Sequence, residues 1–458
     1  MLALLVVAQF MVVLDIAIVN VALPSIGRSL SFAPGDLAWV VTAYVLASGG
    51  LLLVGGRLAD VVGRRTTFLM GLVGFSCASL ACGLAPSAGS LIGARAAQGA
   101  SAALMTPSAL AILTTTYPGE QRARALAVWG AVASAGIGVG AVAGGMLTSW
   151  LSWEWVFWVN VPVGLTAALL APRVIPSPGR AGGLDAARPG GVRDLDLPGA
   201  ATSVAGLVAL VYAISGAADH GWLAARTLVV GAVGLALLGV FAAVERRASR
   251  PLLAPAVWRV PALAPGAVAM LGGTGLIAGT FFLLSVELQG ALGWSAIDTG
   301  LGLLPLVAAI GAGVHLTSHA IGHAGSRVLI AGGLTVAAVG AALCASAPGA
   351  ADVSYAADVL PGMLALGVGF GVTLPAVQIA AMSGVGHHGA GAASGLMSTA
   401  HEIGAALGVA VLSSAAGTAF AFGHAMVVAA AIAGALAVLA LVAAPAVRPA
   451  PGVRVAAH

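Results

Sequence analysis

The sequence contains no lysine, and all 19 of its basic residues are Arg. It has little charge of either sign. Charged residues make up 7% of the 458 positions, against 60% hydrophobic residues and a mean hydropathy of +1.06. A soluble domain carries about 25% charged residues. Scarcity on this scale excludes water as the main solvent and implies a polytopic, all-helical membrane protein, with the lipid bilayer as its partner and no site for nucleic acid. The three cysteines, Cys77, Cys82 and Cys344, all fall in apolar runs, which excludes a disulfide framework and metal-ligand spacing and predicts buried filler. There is no Walker loop and no paired catalytic set at one interface, so neither an ATP-driven pump nor an enzyme is indicated. The first apolar run lacks a basic lead and contains Asp15, so it is no signal peptide. Arg in place of every Lys, with abundant Ala, Gly, Val and Leu, is the composition of a GC-rich, bacterial genome, which makes the expected location the bacterial cell (inner, plasma) membrane, crossed many times.

What is present is apolar sequence in lengths of roughly 20 residues, enough to span a bilayer. Six runs lie at about 2–24, 37–58, 66–86, 90–115, 124–148 and 154–172. A polar, Pro- and Gly-rich stretch over 173–197 reads as a linker. Two runs follow at 198–217 and 226–245, then six more at about 261–286, 298–318, 327–347, 356–382, 390–415 and 422–445. The predicted organisation is an N-terminal six-helix bundle (1–172), a cytoplasmic linker (173–197), two inserted helices with a loop (198–260), a C-terminal six-helix bundle (261–445) and a cytoplasmic tail (446–458). Fourteen spans with the N-terminus inside place sixteen Arg on the cytoplasmic side, from Arg57 to Arg454, and leave only Arg28 and Arg226 outside, with Arg95 in a span. That bias matches the positive-inside rule and sets both termini in the cytoplasm. Omitting the two inserted helices together preserves the parity, so twelve spans is the alternative.

Several motifs sit in order along these spans. GGRLADVVGRR (55–65) reads as a tight cytoplasmic turn between spans two and three, with Gly56 and Gly63 allowing close approach or positive φ, Asp60 as an acceptor, and Arg64 and Arg65 facing inward. Taken alone it is also an ordinary positive-inside loop. It resembles the G-x-x-x-D-x-x-G-R-R signature of the major facilitator superfamily. LDIAIVNVALP (14–24), with Asp15, Asn20 and Pro24, resembles the first-span motif of that superfamily's fourteen-span drug–proton antiporter branch, the multidrug exporters. LIGARAAQGASAA is similar to the R-x-x-Q-G motif through Arg95, Gln98 and Gly99. SWEWVFWVNVPVG (152–164), LQGALGWSAIDTGLGLLP (288–305) and GAGAASGLMST (389–399) resemble the same branch. Span five lacks the proline of the branch's antiporter motif, yet keeps Gly136, Gly140 and Gly144 at small-xxx-small spacing for close helix packing. HLTSHAIGHAGSR, after span ten, is a worn copy of the first loop that keeps its glycines and Arg327.

The resemblance implies the major facilitator fold, two six-helix bundles plus two extra central helices, working by alternating access as a monomer. It implies a small amphipathic substrate and protons as partners, and the proton gradient in place of any cofactor. An ionisable side chain at mid-bilayer costs about 2.5–3.5 kcal/mol on insertion scales and faces the bundle interior or a wet cavity. Asp15, Arg95 and Glu402 are therefore the candidates for proton coupling, Asp15 and Glu402 supplying the acidic groups of a central cavity and Arg95 modulating protonation. Burial favours the neutral form of a carboxyl group, the property a proton-loading site needs. Asn20, Gln98, Glu287 and His401 are the candidates for the substrate cavity. Each has a structural alternative: Arg95 bonding a neighbour's carbonyls, Asp15 as a buried pair partner, Glu287 snorkelling at a span end. His315, His319 and His323 share a helix face if the helix is continuous, but no carboxylate lies near and no metal is expected. A dedicated exporter of one endogenous metabolite is the rival within transport. A sensor or scaffold would need a soluble domain that the dozen-residue tail does not supply.

Overall fold

In a computed structural model, described for residues 1–33, 36–175, 197–247, 260–346, 353–383, 385, 390–417 and 421–443, every regular element is a helix. They are α1 (Leu2–Ser29), α2 (Trp39–Val62), α3 (Arg64–Gly83), α4 (Ala88–Thr116), α5 (Gly119–Trp150), α6 (Trp155–Trp158), α7 (Asn160–Val174), α8 (Leu197–His220), α9 (Ala225–Arg247), α10 (Leu263–Gly290), α11 (Ala296–Gly302), α12 (Leu304–Ala324), α13 (Ser326–Ala345), α14 (Leu360–Met382, led by a π-turn at Tyr355–Val359), α15 (Ala390–Ala416) and α16 (Phe422–Ala443). α6 and α7 make one span, as do α11 and α12, and the described residues hold 14 helices long and apolar enough to cross a membrane. Most of the predicted linker, 176–196, and the tail from 444 onward lie outside the described residues.

Two expected loops are shorter than the sequence suggests. Gly55 to Val62 belongs to the last turns of α2, and the turn between α2 and α3 is one residue, Gly63, at φ 102°. The segment 315–324, read as loop, is helical to the end of α12, and Gly325 at φ 78° makes the turn into α13. In both places the chain reverses on a conformation that a Cβ disfavours, so flanking polar residues remain helical. His315 and His319 therefore do stack one turn apart, with ring centroids 4.4 Å apart. No group of three metal-ligating side chains occurs among the described residues. Cys82 and Cys344 are buried, but Cys77 is exposed, because it lies on a flank of α3 that no other described helix covers.

The chain divides into two compact units. The first comprises Met1–Leu210, Val230–Leu252 and Ser295–Leu301. In it α4 packs along α2 and α3, and α1 along α5. The α1–α5 approach rests on small residues. Gly136 lies against Val13 and Leu14, Gly140 against Leu14, Ala17 and Ile18, and Gly144 against Ile18, so close that a Cβ on Gly144 would come to 2.6 Å from the Ile18 carbonyl oxygen. Hydrocarbon tails are as apolar as Leu, so helices in a membrane associate through such close packing rather than by expelling water. The second unit comprises Val211–Val229, Leu253–Trp294 and Gly302–His458. Its main pairs are α13 with α14 and α16, α10 with α15, and α12 with α14.

Candidate functional site

Five helices of the first unit converge on one carboxylate. Asp15 sits midway along α1 with no exposed surface. Arg95 and Gln98 are three residues apart on α4 and so share a face; both are buried. Arg95 Nη1 donates to Asp15 Oδ2 at 2.5 Å and to Gln98 Oε1 at 2.6 Å, while its Nε donates to the Val40 carbonyl of α2 at 2.9 Å. Asp15 Oδ1 accepts from Gln98 Nε2 and from Asn160 Nδ2, each at 2.8 Å. Ser79 on α3 accepts from the same two amides, from Gln98 at 2.6 Å and from Asn160 at 3.4 Å. The guanidinium carbon lies 4.4 Å from the Tyr44 ring centroid and 5.7 Å from that of Phe157, within range of a cation–π attraction.

The local sequence explains the convergence. A Cβ on Gly99 would overlap the Tyr44 carbonyl, so the glycine lets α2 approach α4 closely enough for Arg95 to reach Val40 and stack on Tyr44. The α5 glycines hold α1 in the same way on its other side. Asn160 opens α7 at the level of Asp15. A bare carboxylate or guanidinium in this interior would be costly. Here the carboxylate has three donors and the guanidinium an anion, a carbonyl, an amide oxygen and an aromatic face.

Of the residues singled out in the sequence, Asp15, Arg95 and Gln98 come together. Gln98, named for the substrate cavity, has no exposed surface and donates to the Asp15 carboxylate. Arg95 bonds a neighbour's carbonyl, that of Val40, and Asp15 is a buried pair partner, the structural alternatives stated for each. Asn20 donates to Ile16 in its own helix at 2.8 Å. Glu287, near the end of α10, is half-buried. His401 is exposed and Glu402 half-buried in the middle of α15. These last three belong to the second unit and Asp15 to the first. Around the early motif, a Cβ on Gly56 would lie 3.9 Å from Pro107, Asp60 is exposed, Arg64 is half-buried, and Arg65 donates to the Pro172 carbonyl at 3.0 Å. Ser79, Asn160, Tyr44 and Phe157 were not singled out. Asn160 carried one signal, an amide inside the apolar run WVFWVNVPVG. Ser79 carried none.

Fourteen apolar helices among the described residues and a buried ion pair define a multi-pass membrane protein with charge in its interior. The Major Facilitator Superfamily model matches residues 5–409, and the chain belongs to that superfamily of transporters. It is 41% identical over 414 residues to a cephamycin export protein of Amycolatopsis lactamdurans, an alignment that covers 90% of this chain and 83% of that one. It is 42% identical over 415 residues to a puromycin resistance protein of Streptomyces alboniger, covering 89% and 79%. A multidrug resistance protein of Mycobacterium tuberculosis is 34% identical over 409 residues, covering 88% and 73%.

Proposed function

We propose that the chain is a drug–proton antiporter, which exports small amphipathic compounds such as antibiotics or dyes across a bacterial plasma membrane by alternating access. The observation that carries this reading is the buried Asp15, held by three donors in the interior of a transporter. Such a carboxylate takes a proton only as its donors rearrange, and that requirement links proton movement to conformation. Asp15 is the proton carrier of the first unit, with Arg95 as the group that modulates it. Glu402, a carboxyl group inside a span of the second unit, is the second acidic group, for protons or for a cationic substrate. The proton gradient is the energy source, and no other cofactor is required. The names of the relatives, an export protein and resistance proteins, support the outward direction. The Arg bias supports cytoplasmic termini, and the working unit is a monomer.

The test is a toxicity panel in an efflux-deficient bacterial host, with and without a protonophore. Resistance that the protonophore removes supports antiport. Resistance that survives it excludes the proton as driving ion. A second reading, a dedicated exporter of one endogenous metabolite, is favoured by relatives named for cephamycin export and for tetracenomycin C resistance and export. It predicts resistance to a single compound class in the same panel.

A further inference from the structure

The sixth span has a weak point at the level of the ion pair. α6 ends at Trp158 and α7 begins at Asn160. Trp158 and Val159 still make helical bonds backward, to Glu154 and Trp155, both at 3.1 Å. Pro162, however, has no N–H to return to the Trp158 carbonyl one turn earlier, and the ladder lapses there. Besides packing, a side chain ties this turn to the rest of the unit: Asn160 Nδ2 donates to Asp15 Oδ1 at 2.8 Å across 145 residues of sequence. Just outside the lapse is an aromatic segment. Trp155 and Trp158 meet edge to face at 5.5 Å, Phe157 reaches toward Arg95, and the Trp158 indole fills the space beside Gly83 of α3.

We infer that Asn160 is a positioning residue that ties the proline-loosened outer turn of the sixth span to the Asp15 carboxylate, so that loss of charge on Asp15 frees the aromatic segment 155–158 to move. The inference rests on the proton reading of Asp15 given above and adds the route by which that charge is felt by a helix. An ionised carboxylate only accepts hydrogen bonds, and all three donors fit it. A proton on Oδ1 puts an O–H against the two amide N–H groups, and one on Oδ2 puts it against the guanidinium. In either case a donor must leave. The network has a second acceptor for each: Gln98 Oε1 already takes Arg95 at 2.6 Å, and Ser79 Oγ lies 2.6 Å from the Gln98 amide and 3.4 Å from that of Asn160. Gln98 already holds its second acceptor, whereas Asn160 comes within a full hydrogen bond of Ser79 Oγ only if its own turn shifts, so loss of the charge bears on the bond that spans α1 and α7. The other titratable groups in contact with this network are Cys82, whose thiol donates to Gln98 Oε1 at 3.7 Å, and Tyr44, whose ring lies against the Arg95 guanidinium.

The experiment is hydrogen exchange read by mass spectrometry on the purified full-length protein, at a single pH, for peptides covering 155–161. Wild type is compared with Asp15→Asn, Asn160→Ala and the double variant. In Asp15→Asn the new amide must turn its one oxygen to Arg95 and so presents an NH2 group to the Gln98 and Asn160 amides, which mimics the discharged state. Each single variant is expected to raise exchange of these amides about tenfold, as for loss of one hydrogen bond to a charged group, and the double variant to match the singles. Additive effects, or an Asp15→Asn protein with wild-type exchange at 155–161, overturn the inference. A merely structural asparagine gives additivity. If Asn160→Ala does not fold, Asn160→Asp, equal in size but repelled by Asp15, is expected to show the same rise. The proton reading is tested separately by pH-gradient-driven transport in vesicles, so either idea can fall without the other.

Discussion

A buried ion pair is expensive to break from one side only. Removing Arg95 leaves the Asp15 carboxylate with two amide donors and no counter-charge, and losing one partner of a buried pair typically costs about 3–5 kcal/mol. Arg95→Ala is therefore expected to lower the thermal unfolding midpoint well below that of wild type, while Asp15→Asn combined with Arg95→Gln recovers most of the loss. Thermal unfolding of the purified variants measures this directly. The double variant regains stability without regaining transport. Asp15→Asn alone is expected to abolish pH-gradient-driven export in vesicles, and proton movement with substrate at the wild-type level would remove Asp15 from the coupling role. At this scale the sequence was partly legible. Asp15 and Arg95 stood out because charge inside an apolar run is costly wherever it ends up, and Gln98 through the R-x-x-Q-G motif it shares with Arg95. Ser79 and Asn160 complete the site but were not singled out. Small polar side chains are common in spanning helices, and nothing in a single sequence says which way they point.

Among the elements, glycine decides where helices turn and how near they come. Gly63 and Gly325 each reverse the chain alone, at φ 102° and 78°. A side chain in that region of backbone space costs about 1–3 kcal/mol, so Gly63→Ala is expected to destabilise the α2–α3 turn by that amount in unfolding measurements. The α1–α5 crossing is more sensitive still. Gly140→Val or Gly144→Val would drive a side chain into Ala17 or the Ile18 backbone. Overpacking of this kind costs about 1–3 kcal/mol, and because α1 carries Asp15 the shift also displaces the carboxylate. Both stability and resistance conferred on a host are expected to fall, whereas Gly434→Ala in α16, where a Cβ meets nothing within 4 Å, leaves both unchanged. The helices themselves were legible from hydropathy. The loops at 55–65 and 315–324 were not, because a polar stretch reads as loop even when a single glycine lets the helix run through it.

For the whole molecule, fourteen spans and the Arg bias make a topological prediction. A green fluorescent protein fused after residue 458 is expected to fluoresce, and alkaline phosphatase fused in the segment 220–224 to be active, as cytoplasmic and external sites respectively. An inactive phosphatase there would reverse the orientation. By itself the sequence determined the membrane class, fourteen spans with twelve as the alternative, the places of the intramembrane charges and the motifs of the major facilitator superfamily. Hydropathy and charge act on each segment wherever it lies, so a linear reading captures them. Only the tertiary structure decided that Asp15 meets Arg95 across 80 residues and Asn160 across 145, and that Gln98 serves the carboxylate. Those meetings depend on how each helix is rotated and how closely Gly99 and the α5 glycines let it approach its neighbour, a matter of packing geometry that no run of apolar residues encodes.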